Sequence, residues 1–214
     1  MNAATVADLP SRLSFDCPAS LIARLRARYD EPHRRYHTWS HIVACLDARD
    51  ALTDTTTPEI DLALLFHDAV YEPFATDNEI RSGELLLEEG RRAWIDDLIL
   101  QRAQRLVRAT AHASAEACDS EQARIVVDAD LSILGADGAC FEEYERLVRD
   151  EYSLVDDAAF TTGRIAILRG FLDRPAIYST LRARRLWEAR ARRNLEDSLV
   201  RLDRRLPPPA TEAC

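Results

Sequence analysis

The chain has 214 residues, 47% of them hydrophobic and 30% charged, with a formal net charge of -9. That is the size and balance of one ordinary globular domain, and its acidic excess argues against a nucleic-acid polymer as partner, since such binding rests on neutralising phosphates. All 28 basic residues are arginine, which excludes a P-loop, a pyridoxal-phosphate Schiff base and a Ser-Lys hydrolase in their usual forms.

Ala, Leu, Arg and Glu abound while glycine and β-branched residues are few, so the chain reads as all-α. In chain order the pattern predicts helices near 18–30, 38–53, 59–72, 77–90, 95–112, 119–134, 139–153, 157–172 and 178–206. Turn chemistry separates them at Pro32, Thr55 to Pro58, Pro73, Gly90, Gly135 with Gly138, and Pro175. Thr76-Asp77-Asn78-Glu79 has the form of a capping box with Thr76 as N-cap and Glu79 at N3. The expected organisation is one domain over 1–206, with a core at about 33–135, C-terminal helices at about 139–206 and a frayed tail over 207–214.

Other classes fall away along the same route. The six glycines include no G-x-G spacing, so a dinucleotide-binding turn is not expected. The five cysteines (17, 45, 118, 140, 214) form no C-x-x-C, which fits a reducing cytoplasm better than a disulfide framework. The N-terminus shows no signal-peptide pattern and no apolar run is long enough to span a bilayer, so no membrane partner is expected. The last predicted helix carries nine arginines against four acids, a composition that usually marks a solvated face pairing with an acidic body.

The informative residues are ionisable ones at positions where the helical period calls for core. The stripe 41, 44, 45, 48, 52 reads His, Ala, Cys, Ala, Leu. The stripe 60, 63, 64, 67, 71 reads Ile, Ala, Leu, His, Tyr, with Asp68 next to His67. The stripe 123, 126, 127, 130, 134 reads Ala, Val, Val, Asp, Leu. Three helices thus direct His41, His67 with Asp68, and Asp130 inward. A buried carboxylate without a partner costs several kcal/mol. One divalent ion, of Mn, Fe, Zn, Co, Ni or Mg, would satisfy all four residues and leave positions for water. His37 and His41 stand at i and i+4, which puts them on one helix face if the helix begins early enough.

In this order the residues resemble the H…HD…D pattern of the HD-domain metal-dependent phosphohydrolase superfamily. The segment Tyr36-His37-Thr38-Trp39-Ser40-His41 is similar to the Tyr-His-Asn-x-x-His segment of the cyclic-nucleotide phosphodiesterases, and Asp130-Leu131-Ser132 resembles their third metal motif. A bacterial group of HD phosphohydrolases shares further words. They stand here as Arg35-Tyr36-His37, Phe66 to Tyr71, Asp77 to Glu79, Asp128 to Gly135, Gly163 to Leu168, and Ile177-Tyr178. The resemblance runs from about residue 20 to 200.

It implies a helical bundle with the metal site between core helices, and His41, His67, Asp68 and Asp130 as ligands of one ion per chain. His37 takes the place of the histidine that protonates the leaving oxygen, and Asp77 that of a carboxylate orienting the attacking water. Arg35, Asn78 and Arg164 are the candidates for holding a small phosphorylated substrate, such as a nucleotide, because arginine offers bidentate geometry to phosphate. His112 is the candidate for a second ion. The face 101, 105, 108, 112 reads Gln, Arg, Arg, His, a solvent face, which favours a mononuclear site. A di-iron oxygenase, a non-catalytic metal- or nucleotide-binding module and a homodimeric state all stay open at this point.

Overall fold

A computed structural model describes residues 9–111 and 119–204, and among them there are helices and turns but no strand. The chain is all-α. Two compact units divide it, Met1–Ser132 and Ile133–Cys214. No helix among the described residues is long and apolar enough to cross a membrane.

The first unit opens with a 3-10 turn, Leu9–Arg12, followed by α1 (Ala19–Tyr29), α2 (Trp39–Leu52), α3 (Pro58–Phe66), α4 (Asn78–Arg92), α5 (Asp97–Ala109) and α6 (Glu121–Asp130). Helix α3 is its centre. Pro58 begins it at a position where a missing N–H costs nothing, and every residue from Glu59 to Phe66 is buried. It packs against α2, α4, α5 and α6. Helices α4 and α5 form a close hairpin, since a Cβ on Gly90 would stand only 2.2 Å from Cδ2 of Leu100.

The buried acid Asp61 of α3 is neutralised by Arg49 of α2. It also accepts hydrogen bonds from Thr56 Oγ1 at 2.7 Å, Ser14 N at 2.7 Å and Ser14 Oγ at 2.6 Å. Every lone pair of this carboxylate has a use, which is the condition for burying a charge.

A 3-10 turn over Leu131–Gly135 spans the point in the chain where the first unit ends and the second begins. The helices α7 (Gly138–Glu151), α8 (Asp157–Leu172) and α9 (Leu181–Ala183) follow, with a π turn (Arg184–Glu188) and α10 (Ala189–Asp203) continuing without a break. Glu145 of α7 ties three helices together, accepting from Arg164 of α8 and from Ser198 Oγ of α10 at 2.5 Å. Several arginines of the basic segment serve this unit. Arg190 donates to Gly135 O, Arg184 to Tyr178 O, and Arg192 to Glu188 and the carbonyls of Leu172 and Arg174.

Three local features around the candidate residues differ from the sequence reading. The third helix ends at Phe66 instead of 72. Its last carbonyls are taken by side chains and a tight turn: Leu64 O by His67 Nδ1, Leu65 O by Tyr29 Oη, and Phe66 O by Ala69 N. Tertiary donors thus satisfy the open end without further helix. The second helix begins at Trp39, because Thr38 is extended and its N–H turns back to Tyr36 O at 2.7 Å; His37 therefore precedes the helix. The capping box at Thr76 does not form. Asp77 is the N-cap and makes no side-chain cap bond, while Asn78 folds its amide back onto Glu72 N and O. The candidate second ligand His112 and the 207–214 tail lie outside the described residues.

Candidate metal centre

His67 and Asp68 stand at the C-terminal end of α3, where His67 is the C-cap with helical φ/ψ and its N–H still donates to Ala63 O. His41 comes from the first turn of α2 and Asp130 from the last position of α6.

The donor atoms converge. His41 Nε2 lies 3.1 Å from His67 Nε2, 3.1 Å from Asp130 Oδ1 and 3.5 Å from Asp68 Oδ2. His67 Nε2 lies 3.2 Å from Asp68 Oδ2 and 3.4 Å from Asp130 Oδ1. An ion about 2.1 Å from each donor spaces neighbouring donors about 3.0 Å apart in an octahedron and about 3.4 Å in a tetrahedron. The cluster therefore has the dimensions of a coordination shell. His41, Cys45, His67 and Asp130 form a buried group that could hold a metal ion, with one donor atom of each lying within 4.8 Å of the others. The two histidines are sealed from solvent, whereas the side chains of Asp68 and Asp130 keep 17% and 14% exposure, so the centre opens on its carboxylate side.

The tautomer of His67 is set by its neighbours. Its Nδ1 is 3.0 Å from Leu64 O, a pure acceptor, so Nδ1 carries a proton and Nε2 faces the cluster. Burial disfavours a charged ring at His67, but Asp68 and Asp130 outweigh it and raise its pKa well above the ordinary imidazole value. Burial likewise opposes ionisation of Asp68, yet His67, His37 and His41 hold its carboxyl well below the usual range. Without an ion, the cluster is an imidazolium shared between carboxylates. Burial pushes the Cys45 thiol well up, with Asp130 and Asp68 adding to the effect.

His37 lies beside this cluster on its own loop. Its ring stacks on Tyr71 with centroids 4.0 Å apart and lies 5.9 Å from that of His41. His33 Nε2 meets Tyr71 O at 2.9 Å and braces the same loop.

The other candidates sit elsewhere. Arg35 is exposed and spends Nη1 on the carbonyls of Pro32 and Arg34. Arg164, in the second unit, is buried over the Tyr144 ring and paired with Glu145, which makes it a structural arginine. Asp77 is exposed at the start of α4, 3.9 Å from Arg81, and Asn78 holds the 72–78 loop closed.

Two residues escaped the sequence reading. Arg34 is buried, stacks on Tyr29 and Tyr71, and donates to the carbonyls of His37, Asp68 and Ala69. Its signal was faint: Glu31 three residues earlier, to which Nε donates at 3.1 Å. Cys45 stood on the inward stripe but was not among the candidates for the site. No protein-family model, curated protein or solved structure matches this chain.

Proposed function

We propose that the chain is a metal-dependent phosphohydrolase that cleaves a small phosphoester, with nucleotides the first class to test. The observation that carries this reading is the convergence of His41, His67, Asp68 and Asp130 to donor spacings of 3.1–3.5 Å, on residues whose order resembles H…HD…D. A divalent ion there would supply a water of lowered pKa and an electrophilic contact for a phosphoryl oxygen.

The side chains divide the remaining work. His41 and His67 offer nitrogen donors, while Asp68 and Asp130 balance a divalent charge and face the open side, where an anionic substrate enters. His37, fixed by its stack on Tyr71, is the group from which a proton reaches the leaving oxygen. Free Cys17, Cys45 and Cys140 accord with a reducing cytoplasm as the place of action.

The test joins elemental analysis of the purified chain to phosphate release from a panel of nucleotides and sugar phosphates, with Mn or Co added. Release is expected to require the metal and to vanish in Asp68→Ala. Metal bound without release across the panel would overturn the hydrolase reading and leave a metal-binding module. Two irons per chain would favour oxygen chemistry instead.

A further inference from the structure

We propose that the face around Trp94 is the interface of a weak, reversible dimer, in which the Trp94 indole of each copy enters the cleft beside Trp94 on the other.

Trp94 follows α4 and is 95% exposed. Its φ of +59° lies in the left-handed region, where a Cβ crowds the backbone. The single chain thus holds a large apolar ring on a strained residue and buries almost none of it. Strained residues of this kind cluster at functional sites, and tryptophan is among the side chains that dominate the energy of protein interfaces.

The receiving surface lies next to it. Pro18, Ser20 and Arg24 at α1, with Arg92, Ala93 and Trp94 at the end of α4, line an open cleft of about 490 Å³. That is within the size range of pockets that take ring-bearing ligands. Arg24 is paired with Glu89, and Arg92 with Glu88 and Glu89. With that charge balanced, the cleft offers little to a phosphate, whereas guanidinium planes and a proline ring suit an aromatic guest. An indole is such a guest, and every copy of the chain carries one at the rim of the cleft. Because knob and cleft belong to one patch, the same contact made twice about a two-fold axis closes the dimer. Two indoles and the surfaces that receive them cover roughly 600–1,000 Å² in total. Stable interfaces begin at about 1,200 Å², so this dimer is weak.

Sedimentation velocity of the full chain between about 5 and about 500 µM tests this, a range suited to the weak binding of so small an interface. At the lowest concentration the expected species is a monomer, to whose stability the indole adds nothing. Above it the dimer fraction rises, and tryptophan emission shifts to the blue as Trp94 leaves water. Trp94→Ala should weaken association about 30-fold or more, the level of an interface hot spot. Ser20→Phe, which fills the cleft and leaves the indole in place, should do the same. Both residues are exposed, so neither change disturbs the core. The monomer at every concentration would overturn the dimer and leave the patch to a partner of another kind. A dimer that persists in Trp94→Ala would overturn it by placing the interface elsewhere. A dimer lost in Trp94→Ala but kept in Ser20→Phe would overturn the entry of the indole into this cleft.

Discussion

Arg34 donates from Nη1 to the main-chain oxygen of Asp68 at 2.7 Å, and the same nitrogen reaches the carbonyl of His37 at 3.0 Å. One buried guanidinium thereby joins the turn that carries His67 and Asp68 to the loop that carries His37. Nη2 extends the same fork to Ala69 O. Lysine keeps the charge but not the planar fork. Arg34→Lys should therefore weaken ion binding about 10- to 100-fold, the range for residues that orient ligands without touching the ion. Arg35→Ala, next in sequence but exposed, should leave affinity unchanged. Competition titration with a chromophoric chelator reads both, and an unaltered affinity in Arg34→Lys would remove its positioning role.

The His67 ring predicts different pH trends for the two forms of the protein. Its raised pKa means that the metal-free fold is stabilised by an imidazolium between Asp68 and Asp130. That contribution is complete below the ordinary imidazole pKa and is lost as pH rises through the raised value. Ion binding needs the same Nε2 without its proton, so affinity climbs with pH over the same window. Thermal melts after chelator treatment should show Tm falling as pH rises above about 6.5, the ordinary imidazole value. Zinc-loaded protein should show a nearly flat Tm over that window, because neither the ion-bound form nor the unfolded chain then holds the His67 proton. Parallel trends in the two series would mean that His67 does not exchange a proton for the ion.

The inward histidines and acids were legible because helical period and the cost of burying charge are local arithmetic. His41 and Asp130 occupy the stripes assigned to them. The end of α3 was not legible, because Tyr29 and Arg34, dozens of residues away, supply the donors that release Leu65, Asp68 and Ala69 from helix. Choosing Arg35 over Arg34 had the same root: two adjacent arginines are alike in a pattern, and only packing on Tyr29 and Tyr71 separates them.

The Arg49–Asp61 pair should behave as a buried charge network rather than a surface bridge. Both side chains are nearly inaccessible, and Asp61 also accepts from Ser14 and Thr56. Asp61→Ala leaves Nη1 of Arg49 and three further donors without their acceptor, although Arg49 keeps Asp50 through Nε and Nη2, so a loss of about 2–4 kcal/mol in urea unfolding is expected. The double change Arg49→Met with Asp61→Leu should recover part of it, because no charge is then left without its partner. A loss below about 1 kcal/mol for Asp61→Ala, the level of an exposed pair, would show that water reaches this site.

Trp94 offers the reverse case, a substitution expected to stabilise. It follows α4 with φ of +59°, in the left-handed region, and its residue is 95% exposed. The turn is a regular helix stop: Trp94 N donates to Arg91 O at 3.1 Å and Ile95 N to Gly90 O at 3.0 Å. Glycine is the usual residue at such a position, because a Cβ there crowds the backbone at a cost of roughly 1–2 kcal/mol. Trp94→Gly removes that crowding and sacrifices almost no buried surface, although glycine also gains freedom in the unfolded chain. The net expectation is a gain of about 0.5–1 kcal/mol, read as a higher urea midpoint with an unchanged slope. Trp94→Ala separates the causes, since it truncates the ring but keeps the Cβ. It should show none of the gain; if it matches Trp94→Gly, the effect comes from losing the exposed indole and not from the backbone.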